Sequence, residues 1–195
     1  MSDGIGCVVL AAGAGRRFGG GKQLAPLAGR PLLEHALAQA AAAPVDRVVV
    51  VLGDGGSQIA ATVNLHGAEP LTCDGWAEGM AAPLRAGIAA LEGCAAAVIL
   101  LGDQPLVTAA AVERVLAGRG VGWDAVRASY GGRPGHPVVA ERTMFGAIAG
   151  LRGDLGAREL LAAARTRTVP CDDIADPLDV DSTADLRAAE QALSS

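Results

Sequence analysis

Apolar residues in this chain fall into short unbroken runs, separated by alanine-rich stretches and glycine or proline turns. Ile5 to Ala12 is one such run and ends in glycine, the pattern of a strand buried on both faces. Arg47 to Leu52 is the clearest strand, because its four consecutive valines favour a pleated surface. Ala68 to Cys73 and Ala97 to Leu101 read as further strands. Between them, Pro31 to Ala43 predicts a helix stopped by Pro44, and Met80 to Leu91 another. Ser57 is expected to cap a helix running through Val63, and Thr108 one reaching about Ala117. The later pattern is less regular. Strands are expected over Ala125 to Ser129 and His136 to Ala140, separated by the turn-rich G-G-R-P-G. Helices over Glu141 to Ala149 and Gly156 to Ala164, a strand over Thr166 to Cys171 and a helix from Thr183 complete it.

Four alternations of buried strand and helix within the first 120 residues imply a mostly parallel sheet covered on both faces. With no linker or repeat, residues 1–195 are expected to form a single α/β domain. Composition sharpens this. Half of the chain is apolar (51%) but only 3% is aromatic, so the core is built from Val, Leu, Ile and Ala. A net charge of −5 without a basic run argues against nucleic acid as a partner. No apolar stretch approaches the length of a membrane span, and a cytoplasmic location is expected. The four cysteines, at 7, 73, 94 and 171, lack C-x-x-C spacing, and Cys7 is expected to be a buried thiol.

The candidate chemistry begins in Leu10 to Lys22, L-A-A-G-A-G-R-R-F-G-G-G-K, directly after the first strand. Glycines let backbone N–H groups approach phosphate oxygens, and Arg17 and Lys22 add positive charge. A dinucleotide-binding G-x-G-x-x-G requires glycine where Phe18 stands. A Walker A loop requires glycine and Ser or Thr where Arg16 and Gln23 stand. A carboxylate, Asp103, follows the strand ending at Leu101. At a strand's carboxyl end and facing a phosphate loop, it is placed to hold Mg²⁺. Asp179 and Asp181 alternate on an extended segment and point the same way. Asp185 is expected to be a first-turn helix acid.

The pattern L-A-A-G-x-x-x-R-F-G-x-x-K, followed by P-L-x-G-x-P-L over Pro26 to Leu32, resembles the signature of nucleotidyltransferases. These join a nucleoside triphosphate to a phosphorylated acceptor and release pyrophosphate. The resemblance implies a Rossmann-like, doubly wound sheet of the nucleotide-diphospho-sugar transferase type. It implies that Leu10, Ala11, Ala12, Gly13, Arg17 and Lys22 wrap the triphosphate, and that Asp103 and Asp181 bind Mg²⁺. The segment D-V-D-S-T-A-D-L over Asp179 to Leu186 is similar to the family's D-x-D-T-P-x-D-L, with Ser182-Thr183 in place of Thr-Pro.

Three further segments resemble the molybdenum cofactor cytidylyltransferases. Gly79 to Gly87 is similar to G-M-x-x-S-L-x-x-G, with Pro83 replacing the serine, and implies that Gly79 lies near the base. Gly135-His136-Pro137 and L-R-G-D-L-G-A-R over Leu151 to Arg158 imply that His136, Asp154 and Arg158 receive the acceptor. In this family Ala-Ala at 11 and 12 goes with CTP. The implied reaction is CMP transfer to molybdopterin carrying molybdenum, with a molybdenum hydroxylase as the eventual recipient. The alternatives are a guanylyl or sugar-phosphate nucleotidyltransferase and a carrier that delivers the cofactor without turnover.

Overall fold

The structure is a computed structural model. It describes residues 4–13, 15, 18–53, 55–153 and 157–194. Nine strands are present among these: β1 (Ile5–Ala11), β2 (Pro26–Leu27), β3 (Arg30–Pro31), β4 (Arg47–Leu52), β5 (Glu69–Thr72), β6 (Ala96–Leu101), β7 (Ala125–Tyr130), β8 (Arg133–Glu141) and β9 (Thr166–Pro170). The helices are α1 (Leu32–Ala42), α2 (Gly56–Thr62), α3 (Ala81–Ala90), α4 (Ala109–Ala117), α5 (Phe145–Ala149), α6 (Ala157–Ala163) and α7 (Thr183–Leu193).

Seven strands form one sheet in the order β5-β4-β1-β6-β8-β7-β9, and only β8 runs against the rest. This is the mostly parallel, doubly wound sheet that the alternating pattern predicts. Side-chain alternation along β1 divides the core into two layers. Cys7, Val9 and Ala11 pack with α1, α2 and α4, whereas Val8 packs with α3, α5 and α6. Gly87 lets α3 lie close on the sheet, since a Cβ there would stand 2.5 Å from Val8 Cγ1. A third, smaller cluster joins Leu27 and Leu32 to Val180 and Ala189, so α7 closes over the β2–β3 hairpin. Among the described residues no helix is long and apolar enough to cross a membrane.

The structure differs from the sequence pattern at several points. Ser57 does not cap α2. The helix starts one residue earlier behind Gly55, whose φ of 69° a side chain disfavours. The β2–β3 hairpin carries no hydrophobic period, because it is two residues per strand turned by Ala28 and Gly29. The expected helix over 141–149 splits into a 3₁₀ turn (Arg142–Met144) and the short α5. Most consequential is β8. It begins at Arg133 rather than His136, with only Gly131 and Gly132 as the turn. Burial pushes the Cys7 thiol up to about 12, as suits the inert core residue expected there.

Candidate active site

The chain leaves β1 for β4 and β5 on one side of the sheet and returns to β6 on the other. The loops after β1 and β6 therefore diverge, which opens a crevice at the carboxyl ends of these strands. Gly102 keeps that crevice tight. Its N–H donates to the Leu10 carbonyl at 2.9 Å, and a Cβ there would meet Leu33 Cδ1 at 2.8 Å and Ala11 Cβ at 2.9 Å.

On the β1 side, Gly19, Gly20 and Gly21 all have positive φ, the left-handed backbone that glycine adopts without strain. They deliver Lys22 to the head of a 3₁₀ turn (Lys22–Leu24), where it is buried rather than on a solvent-facing loop. Lys22 Nζ donates to Asp103 Oδ2 at 2.7 Å and to Asp181 Oδ1 at 3.1 Å. Burial pulls the ammonium down, but the two carboxylates outweigh it and hold its pKa above the ordinary lysine value. The next residue latches the loop. Gln23 Nε2 donates to the carbonyls of Ala11 and Gly13, both at 2.9 Å.

Asp103 lies in the turn after β6, and Asp181 arrives on an extended segment before α7 rather than on a strand. Val180 N–H donates to the Asp103 carbonyl at 3.0 Å, which sets the two acids side by side. Ser182 and Asp185 then form a reciprocal capping box at the start of α7, and Asp185 also accepts from the Asp181 N–H at 3.1 Å. Asp185 is thus the helix acid that its position predicts. Gln104, buried beside Asp103, donates to Asp179 Oδ1 at 2.9 Å, while its own Oε1 is buried without a partner. Partial burial and the neighbouring Asp103 raise the Asp179 pKa above the ordinary carboxylate range.

Leu10, Ala11, Gly13, Lys22 and Asp103 line a narrow crevice. Leu10 also borders a much larger cavity, about 780 Å³, reached by Met80, Gln104, Arg127, Arg133, His136, Arg158 and Asp179. His136 and Arg158, 22 positions apart in sequence, thus share one cavity with Gln104 and Asp179 of the carboxylate cluster. Burial and Arg127 pull the His136 pKa down to about 4, so the imidazole is neutral at physiological pH. Ala12 and Gly79 line neither space. Ala12 is buried, and Gly79 is the turn before α3, with φ 117°. Ala11 belongs to the core under α1 as well as to the crevice wall. Arg17 and Asp154 lie outside the described residues.

The segments around Gly79 and Leu151, far apart in sequence, are tied together. Arg85 Nη1 donates to the Leu151 carbonyl at 2.8 Å, and Ala81 N–H donates to the Gly153 carbonyl at 3.1 Å. Sequence reasoning missed Gln23, Gln104 and Arg127. A signal existed only for Arg127, a charge between apolar neighbours in a strand.

The family described as MobA-like NTP transferase domain matches residues 7–169. The chain belongs to this family. As an NTP transferase domain it is a nucleotidyltransferase by fold and by sequence. It is 34% identical over 163 residues to nicotine blue oxidoreductase of Paenarthrobacter nicotinovorans, covering 79% of each chain. The crystal structure of Rv0371c from Mycobacterium tuberculosis H37Rv is similar at a TM-score of 0.86 and 33% identity, covering 98% of this chain and all of that one. The same mycobacterial protein was also solved in complex with manganese, at a TM-score of 0.82 and 31% identity, covering 97% of this chain and 99% of that one.

Among the described residues no three His, Cys, Asp or Glu side chains form a metal-binding cluster. Two do converge. Asp103 and Asp181 both reach one cation, the Lys22 ammonium, while their side chains stay 29% and 43% exposed. Paired hard oxygen donors of this kind suit a Mg²⁺ or Mn²⁺ ion that completes its shell with phosphate oxygens and water.

Proposed function

We propose that this NTP transferase moves CMP from CTP to the terminal phosphate of molybdopterin carrying molybdenum, releasing pyrophosphate. The observation that carries this reading is the Lys22–Asp103–Asp181 cluster beside a cavity whose charged lining is rich in arginine. The triphosphate lies along the glycine-rich run, where backbone N–H groups, Arg17 and Lys22 meet its charge. Ala11, which lines the crevice, bounds the space for the base. The acceptor enters the large cavity by way of His136, Asp154 and Arg158.

An acceptor phosphate oxygen attacks the α-phosphorus in line. One new P–O bond forms as the bond to the β-phosphate breaks, and the electron pair leaves with pyrophosphate. A Mg²⁺ ion held by Asp103 and Asp181 would supply charge that offsets the phosphates. The protein's part is to position the reactants and match charge as it develops. Lys22 holds the two acids together and places one positive charge at the crevice wall. Neutral His136 offers a hydrogen bond to the acceptor without adding charge. The product then passes to a molybdenum hydroxylase.

A nucleotide panel with Mg²⁺ and molybdopterin, followed by pyrophosphate release, tests the reading. CTP is expected to turn over fastest. Preference for GTP would instead make the protein a guanylyltransferase, and pterin binding without pyrophosphate would make it a carrier. The name of the Paenarthrobacter relative favours a second reading, an oxidoreductase. NADH binding by fluorescence, with no pyrophosphate from any nucleotide, would establish that one instead.

A further inference from the structure

Gln23 follows Lys22 in the 3₁₀ turn Lys22–Leu24 and, unlike it, carries no charge. Its amide nitrogen has two hydrogens, and both are spent on backbone. One goes to the carbonyl of Ala11, the last residue of β1, and the other to that of Gly13, each at 2.9 Å. Two carbonyl acceptors at this distance fix the orientation of the carboxamide, since its oxygen could bond neither. The side chain therefore reaches back 12 and 10 positions to clasp the start of the glycine-rich run.

The rest of the run is held against the same turn. The Gly15 carbonyl accepts from the Phe18 N–H at 2.9 Å and from the Gly20 N–H at 3.2 Å, so the chain doubles back on itself. Gly15 lies against Lys22, where a Cβ would stand 3.0 Å from Lys22 Cβ. Gln23 also lines the narrow crevice beside Ala11, Gly13, Lys22 and Asp103. This placement matters electrostatically. Each carbonyl oxygen carries the negative end of a peptide dipole, and two of them left free at a phosphate-binding wall would repel the ligand. Gln23 ties both off and adds no net charge, so the balance of Lys22 with Asp103 and Asp181 is untouched.

We infer that Gln23 is the positioning residue of the triphosphate loop: it holds the backbone from Ala11 to Gly13 in its binding shape and keeps two carbonyl oxygens off the phosphates. It acts through the loop and not on the reacting atoms. Ordering the loop before the nucleotide arrives removes that cost from binding. The effect therefore falls on nucleotide affinity rather than on the bond-making step. The inference rests on the proposed transfer only for the identity of the ligand as a nucleoside triphosphate.

The test pairs Gln23→Met, which keeps the length without a donor, with Gln23→Glu, which keeps the shape but only accepts when ionised. Binding of CTP and of GTP with Mg²⁺ is measured by calorimetry on the intact protein, beside steady-state pyrophosphate release with molybdopterin. Gln23→Met is expected to weaken binding and raise the KM of the tighter-binding nucleotide at least fivefold. Its kcat should fall less than twofold, and its KM for molybdopterin should stay unchanged. Gln23→Glu is expected to bind more weakly still at pH 8 and to recover relative to Gln23→Met toward pH 5, because its protonated carboxyl regains one donor. Lys22 and Asp103, the charged groups lining the crevice with it, are common to both variants and cancel in that ratio. Unchanged nucleotide affinity in Gln23→Met overturns the inference. So does a kcat loss larger than the KM change, a matching rise in the molybdopterin KM, or a ratio between the two variants that is flat with pH. If Gln23→Met does not fold, the ratio of Gln23→Glu to the parental protein across the same pH range decides instead. Parental binding of a triphosphate without pyrophosphate release would refute the transfer reaction, and calorimetry would still read the role of Gln23. Parental failure to bind either triphosphate overturns both.

Discussion

The two ends of the candidate site handle positive charge in opposite ways. At the β1–β6 crevice Lys22 is buried against two carboxylates, and its charge is matched inside the protein. In the neighbouring cavity Arg127, Arg133 and Arg158 gather with no ion pair among the described residues. The first arrangement holds two acids in place before any ligand arrives. Under the proposed transfer, the second would be completed by the anionic acceptor.

The largest effect is expected from breaking the matched end. Lys22→Ala leaves Asp103 and Asp181 crowded without a cation. It should abolish nucleotide turnover and cost on the order of 2 kcal/mol of stability, since the acids are partly solvated. Urea denaturation at neutral pH checks this. An unchanged midpoint would show that the ammonium is not what holds the pair.

Asp103→Asn and Asp181→Asn keep shape and one oxygen but remove charge. Each is expected to slow turnover at least tenfold, about 1.4 kcal/mol in barrier. The double variant should be far less than multiplicatively worse, because one shared ion cannot be lost twice. Fully multiplicative effects in single-turnover assays would split the two acids into separate steps.

A smaller effect comes from the cap behind Asp181. Ser182→Ala removes one arm of the capping box and is expected to cost about 1 kcal/mol in thermal unfolding. It should also slow turnover slightly, because Asp185 orients the Asp181 backbone as well as the helix.

The smallest effect concerns Asp179, which forms no ion pair among the described residues and accepts a hydrogen bond from Gln104. Its folded pKa is raised, so its contribution to stability is fully present below the unfolded aspartate value of about 3.9. That contribution is lost as pH rises through the folded value. Asp179→Asn is therefore expected to raise the melting temperature slightly at pH 7, with the difference vanishing at low pH. Scanning calorimetry across pH 3 to 7 follows this sign. A lower melting temperature at pH 7 would mean that ionised Asp179 is held by a favourable partner.

Local pattern carried the strands that β-branched runs specify, and those runs dictate the doubly wound sheet. It also carried the glycine-rich run, because only a backbone that needs positive φ and close approach uses so many glycines in sequence. Asp103 was legible for the same reason, since an acid immediately after a buried strand has to surface at its end. These features depend on neighbours a few residues away. The partnership of Lys22 with Asp103 and Asp181 does not. It spans 81 and 159 residues and requires the α7 segment to bond back to the β6 turn. Likewise, the β8 bulge arises from pairing with β7 and β6, so turn residues alone suggested a loop where a bent strand runs. Arg127 became meaningful only with that bulge in place. A charge in a strand is an anomaly until the fold shows which cavity it faces.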